Sequence, residues 1–258
     1  MNEKQQNEIL NMGLKLGFSL IPGGQLLSDL LDFQGKMKQE RLNTFLTSFC
    51  NYLSTHKEIS MESLQNEDFA DLFESILRRV VRTKSTEKHA RFKQILINQI
   101  ERPTTDVDNT EMFLDLVTSL SEIEVTILKR HYENDDEITS LYTRENELSE
   151  EVKDKQRKVD KESGLKNSGF AHNYVKALQD FSLTRNSLEV VKLRREEVEV
   201  YRLASFYNLS DSQLVYYYQS LSSKGLLIDN AVGATFLGPF KSMKISEFGK
   251  QFWEFLKQ

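Results

Sequence analysis

The stretch YRLASFYNLSDSQLVYYYQSLSSKGLLID, residues 201–229, decides how this chain is read. Leu203 to Ser210 reads as a short helix and its turn. Asp211 to Ser223 reads as the next helix, in the recognition position of the run. Lys224-Gly225 is a helix stop, since glycine accepts the left-handed conformation that closes a helix. Leu226 to Asp229 then reads as a strand. Phe236 to Ile245 returns as a loop and a second strand, and Ser246 to Phe252 opens a last helix.

Working outward, the preceding 65 residues change character. From Asp136 to Glu162 most residues are charged, and the apolar ones thin to Ile138, Leu141, Leu148, Val152 and Val159. That is a sparse heptad seam, with Glu145 and Lys155 filling its missed positions. Ser163 to Gly169 is turn chemistry. A second helix, Phe170 to Tyr201, returns with Tyr174, Leu178, Phe181, Leu188, Val191 and Val198. Residues 136–201 are therefore expected to form an antiparallel, coiled-coil-like hairpin arm, with Leu141, Leu148, Val152, Leu178 and Leu188 along its seam and available for self-association. Ser121-Glu122-Ile123-Glu124 has serine followed three residues later by glutamate, a capping-box pattern that starts a helix to about Glu133.

The N-terminal part predicts a helical domain over 1–120. Helices are expected over 1–21, from Gln25 to Ser54, from Glu67 to Thr83, from Ser85 to Glu101 and from Thr110 to Leu120. Pro22-Gly23-Gly24 and Arg102-Pro103 are breaks. Gly35 weakens its helix by about 1 kcal/mol relative to alanine. The remainder, 121–258, is a second domain that carries the arm.

Composition narrows the function. Of 258 residues, 39% are hydrophobic and 28% charged, with three prolines, which suits a helical globular chain. The net charge of −5 gives no general pull toward nucleic acid. Cys50 is the single cysteine and has no internal partner for a disulfide, so a reducing, cytoplasmic setting is expected. The apolar run from Ile9 to Leu31 is interrupted by Lys15, Pro22 and Asp29, which argues against a spanning helix.

Catalytic patterns fail on context. Asp106-Val107-Asp108-Asn109-Thr110 carries the spacing of a phosphatase nucleophile loop but follows a helix end rather than a strand. Ser85-Thr86-Glu87-Lys88 is better read as a helix start. His56, His89, His131 and His172 are scattered, so no zinc site is expected. The chain is read as non-enzymatic, with no cofactor and no small-molecule substrate.

Two surfaces are candidates for contact. Between Arg78 and Arg102 there are eight Lys or Arg against two acids. Arg78, Arg79, Arg82, Lys84, Lys88, Arg91 and Lys93 form a basic patch suited to phosphate or to an acidic face, unless neighbouring acids such as Glu67, Asp68, Asp71 and Glu74 offset it. The second surface lies on the helix 211–223, where Gln213, Tyr216, Tyr217 and Gln219 can touch a partner or a base edge. That helix holds no Lys or Arg, so support for DNA must come from Lys224, Lys241 and Lys244.

Residues 198–258 resemble the winged-helix superfamily, with Gly225 closing the third helix, Phe236 to Ile245 as the wing, and Ser246-x-x-Gly249 as the helix start that follows it. The resemblance implies a C-terminal winged helix with a small β-wing; with the helices read above, the chain is expected to be mainly α, with an N-terminal helical domain and a long antiparallel helical hairpin before it. Its first helix is either Ser121–Glu133, which makes the arm an insertion, or the end of the arm near Leu188–Tyr201. The lack of cations in the third helix turns the expectation toward a protein partner or self-association (a homo-oligomer) rather than DNA. A DNA-binding regulator is the second reading. A membrane-directed effector acting through residues 9–31 is the third. The N-terminal part is also similar, without a specific motif, to bacterial helical proteins found in phage-defence settings.

Overall fold

The computed structural model describes residues 36–55, 67–101, 107–163, 171–230, 240 and 242–257. It is mainly helical. In chain order the elements are α1 (Lys36–Thr55), α2 (Glu67–Arg82), α3 (Thr86–Glu101), α4 (Val107–Ser119), α5 (Glu122–Ser163), α6 (Ala171–Glu199), 3-10 turns at Val200–Arg202 and Ala204–Tyr207, α7 (Asp211–Ser223), β1 (Leu227–Asp229), β2 (Met243–Ile245) and α8 (Glu247–Lys257). The chain divides into two units, one of the described residues up to Ser121 with those from Glu254 on, the other from Glu122 to Trp253.

The first unit packs α1 to α4 around an apolar core. α2 buries Phe69, Leu72, Phe73, Ile76, Leu77, Val80 and Val81, a stripe at three-and-four spacing. Phe49 of α1 and Phe69 both lie about one ring from Phe73, at 5.9 and 6.0 Å between centroids. The α2–α3 junction is closed by side chains. The Ser85 hydroxyl accepts the Lys88 backbone N–H at 3.1 Å, the bond of an N-cap. Arg41 donates to the Val81 carbonyl at 3.2 Å, and His89 Nε2 lies 2.9 Å from the Thr83 carbonyl. These groups occupy carbonyls that the end of a helix leaves without an intrahelical partner.

In the second unit α5 and α6 run antiparallel. Their cross-links show it: Glu145 meets Arg195 and Lys155 meets Thr184, so the partner on α6 moves back as α5 advances. The seam follows alternating three- and four-residue steps. Along the paired length, buried or half-buried positions recur on α5 at 138, 141, 145, 148, 152, 155, 159 and 162, and on α6 at 174, 177, 181, 184, 188, 191, 195 and 198. Such a rhythm is what a coiled-coil pair requires.

Three expectations are corrected. There is no boundary between Glu133 and Asp136, because α5 is one helix from Glu122 to Ser163. The change to charged residues alters what surrounds the helix and not its propensity, since Glu, Lys and Arg are all good helix formers. Leu178 is not on the seam. It is 37% exposed, while Ala177 is buried, because the rhythm set by Phe181, Thr184 and Leu188 passes through 177. The segment 203–210 is a 3-10 turn ended by Asn208 at φ 56°, not a helix of full length.

After α7, Gly225 at φ +72° closes the helix, with the Leu226 N–H returning to the Leu221 carbonyl at 3.0 Å. β1 and β2 pair antiparallel, Leu227 opposite Ile245 and Asp229 opposite Met243. Ser246 then caps α8: its hydroxyl accepts the Gly249 N–H at 2.7 Å and donates to the Leu226 carbonyl at 3.2 Å. A Cβ at Gly249 would stand 2.2 Å from the Leu226 oxygen, so only glycine allows this approach. The serine and glycine three residues apart are thus two halves of one joint.

Candidate interaction site

The site begins with what holds α7 in place. The first turns of α5 lie beneath it. Glu124, 5% exposed, accepts the Ser220 hydroxyl at 2.6 Å and the Lys224 ammonium at 3.2 Å. One helical step along the same face, His131 and Asp135 are buried completely. His131 Nδ1 donates to Asp135 at 3.1 Å, and Tyr218 of α7 lies 3.4 Å from His131 Nε2. Asp135 also accepts the Tyr201 hydroxyl at 2.6 Å, Arg202 at 3.1 Å and the Ile245 backbone N–H at 2.6 Å. One carboxylate therefore joins α5, the 200–202 turn and β2, and through His131 it reaches α7.

The electrostatics agree with the geometry. Burial pushes the His131 imidazole below its ordinary value, against the opposing pull of Asp135. Burial alone would raise Asp135, but the bonds from His131, Tyr201 and Ile245 outweigh it and hold the carboxyl below its ordinary range. Burial first, then the Asp135 charge, drives the Tyr201 hydroxyl well above its usual range. The cluster is thus a neutral histidine beside an ionised aspartate, satisfied from several sides. Both side chains lie away from solvent, so this arrangement fixes positions and presents no group to a substrate.

With α7 fixed, its outer face is defined. Tyr216 is 64% exposed and Gln219 is exposed, with Tyr217 half-buried beside Tyr216, rings 5.4 Å apart. Gln213 is exposed but its amide oxygen is engaged, accepting the Ser210 N–H at 2.9 Å in a capping box. Of the cations expected to support DNA, Lys224 is bound to Glu124, and Lys244 donates to Thr139 of α5 at 3.3 Å. Lys241 lies outside the described residues.

The basic patch is largely consumed within the first unit. Arg79, with its side chain only 16% exposed, pairs with Glu111 at 2.9 Å and with Asp115 at 2.5 Å. Arg78 pairs with Glu74. Lys88 donates to the Thr118 carbonyl at the end of α4, and Lys93 to Ser48 at 3.0 Å. Arg91 is half-buried and lies in the field of Glu87. Arg82 and Lys84 are exposed. Glu74, one of the acids expected to offset the patch, does so at Arg78, while the acids that hold Arg79 come from α4, which sequence spacing does not bring to mind.

The arm seam is also filled from within the chain. Leu148 and Leu188 are buried between α5 and α6, and Leu141 and Val152 are half-buried on the same stripe. Glu145 and Arg195, both at seam positions, meet at 2.7 Å, and Arg195 reaches Glu199 at 2.8 Å. Lys155 donates to the Thr184 hydroxyl at 2.5 Å. The two polar interruptions of the heptad are therefore cross-links.

Ser85 of the Ser-x-x-Lys string is the α3 cap, and Asp106 of the aspartate loop lies outside the described residues, as does the segment 9–31. Among the described residues no group of His, Cys, Asp and Glu is arranged to hold a metal ion, and no helix is long and apolar enough to cross a membrane. No protein-family model, curated protein or solved structure matches the chain. The function is therefore argued from the site alone.

Proposed function

We propose that this chain is a non-enzymatic interaction protein whose C-terminal elements form a winged-helix module for docking another protein. In this reading the start of α5 is the first helix, the turn 204–207 the second, α7 the third, and β1 and β2 the wing ribbon. The hairpin is then an insertion that leaves from the end of the first helix. Packing of α5 on both α7 and β2 supports that placement over a first helix drawn from the end of the arm.

The observation that carries the function is the fate of the lysines. DNA binding draws much of its affinity from free cations against phosphates. Here Lys224 is bound to buried Glu124, Lys244 leans on α5, and α7 itself offers tyrosine and glutamine. An exposed Tyr216 beside half-buried Tyr217, on a helix with no cation, suits a protein face, where aromatic residues are enriched and charges are depleted.

The test places a photoreactive phenylalanine analogue at 216 in the full chain inside the native cell. A protein adduct at 216, absent when the analogue replaces Arg157 on the arm, is the expected result. A DNA adduct at 216, or none at all, overturns the reading. A fluorescent duplex titrated at low salt gives the companion measurement, and salt-sensitive binding there sinks it as well.

A further inference from the structure

A second apolar stripe lies on the side of α6 turned away from α5. Leu183, Val190 and Leu193 of α6, with Val200 at the start of the 3-10 turn that follows it, stand 66, 65, 60 and 41% exposed. With Asn186 and Glu197 they fall at 183, 186, 190, 193, 197 and 200, the same three-and-four rhythm that builds the inner seam. A solvated helix face has no physical reason to repeat large apolar residues in a heptad. The inner seam is already occupied by α5, so this one awaits a helix from outside.

We infer that α6 carries a self-association face and that its occupant is α6 of a second copy of this chain, packed antiparallel. The inference goes beyond the docking role of α7, uses different residues, and stands or falls separately from it. The argument lies in how the stripe matches itself. Paired antiparallel about the point between Val191 and Lys192, Leu183 meets Val200 of the second copy and Val190 meets Leu193. The two polar positions also meet each other, Asn186 opposite Glu197, so the amide donates to the carboxylate. Every apolar layer faces an apolar one and the polar layer is satisfied.

A parallel pairing fails the same test. It sets Glu197 against its own copy in the core of the interface, where two carboxylates repel and are desolvated together. The antiparallel pairing brings Glu189 near Glu196 only at the solvated edge, and Lys192 already stands 3.4 Å from Glu189 to offset it. Two faces of this length bury on the order of 1,000 Å² in total, at the lower edge of specific interfaces.

Sedimentation of the full chain over a wide concentration series tests this. Wild type is expected to pass from monomer to dimer. Leu193→Glu and Val190→Lys, each at an exposed position, are expected to weaken the dimer at least about tenfold with unchanged helicity. The double variant Val190→Lys/Leu193→Glu recovers most of the loss, because in the antiparallel register each introduced lysine faces an introduced glutamate. A wild type that stays monomeric, a dimer untouched by both single changes, or a double variant no better than the singles overturns the proposal. None of these outcomes depends on the adduct at 216, so the two readings are distinguished.

Discussion

The two units of this chain are held by different means. The first has a mainly apolar interior, with Phe49, Phe69, Phe73, Ile76 and Leu96 outnumbering the buried polar Thr83 and Asn98, so most of its side chains gain from burial in any arrangement that excludes water. The second has carboxylates and an imidazole on its central stripe, at Glu124, His131 and Asp135. A buried polar group is tolerated only when its partners are in place. The aromatic core rewards burial as such, whereas Asp135 accepts only the arrangement that brings Tyr201, Arg202 and the Ile245 N–H to it. The comparison teaches that the second unit is specified by direction as well as by burial.

The change that tests this most severely is Asp135→Asn. It keeps the volume and leaves no cavity, but it removes the charge that His131, Tyr201, Arg202 and the β2 backbone share. Breaking a buried pair on one side costs about 3–5 kcal/mol. The expected outcome in urea is early loss of the second unit, read by fluorescence of Trp253, the single tryptophan. Retention of wild-type stability would erase the contrast between the units.

Acid should reach the same cluster without mutation. His131 and Asp135 both have folded pKa values below their unfolded ones, so the unfolded chain binds more protons and stability falls with falling pH. The loss begins as pH drops through the unfolded histidine value of 6.5 and deepens below the unfolded aspartate value of 3.8. At the other end, Tyr201, Tyr207 and Tyr218 are raised above 10, so stability falls as pH rises past 10. Hydrogen exchange across pH is expected to show α7 and the ribbon opening before α2 and α3 in acid.

Gly249→Ala is the next step down. The added methyl group meets the Leu226 carbonyl, and overpacking of this kind costs about 1–3 kcal/mol. Thermal unfolding followed by Trp253 fluorescence checks it, with the first unit unaffected. Within the first unit Ile76→Val, at a position with no exposure, should cost about 0.5–1.5 kcal/mol. A methyl deletion in the apolar core that outweighs Asp135→Asn would reverse the comparison.

Most helices were legible because a stripe and a cap are local signals. α2 carries the stripe and α3 the stripe with its Ser85 cap, and Gly225 punctuates as its chemistry requires. The hub was not legible, because its parts come from 131, 135, 201, 202, 218 and 245 and meet only through tertiary packing. One signal could have found it. His131 and Asp135 continue the same alternating steps as Leu128 and Ile138, and a polar residue at a buried register position calls for a partner. The false boundary at 133–136 arose from reading a change of surface as a change of structure. The offsetting of Arg79 by Glu111 and Asp115 was hidden because it joins residues more than 30 positions apart.

The uninterrupted course of α5 has a mechanical consequence. Forty-two residues at about 1.5 Å each make a rod of roughly 60 Å. It has no proline or glycine along its length at which to bend. The same unbroken helix that forms one side of the hairpin therefore also carries His131 and Asp135, beneath the helix that presents Tyr216, so the arm and the hub share one backbone.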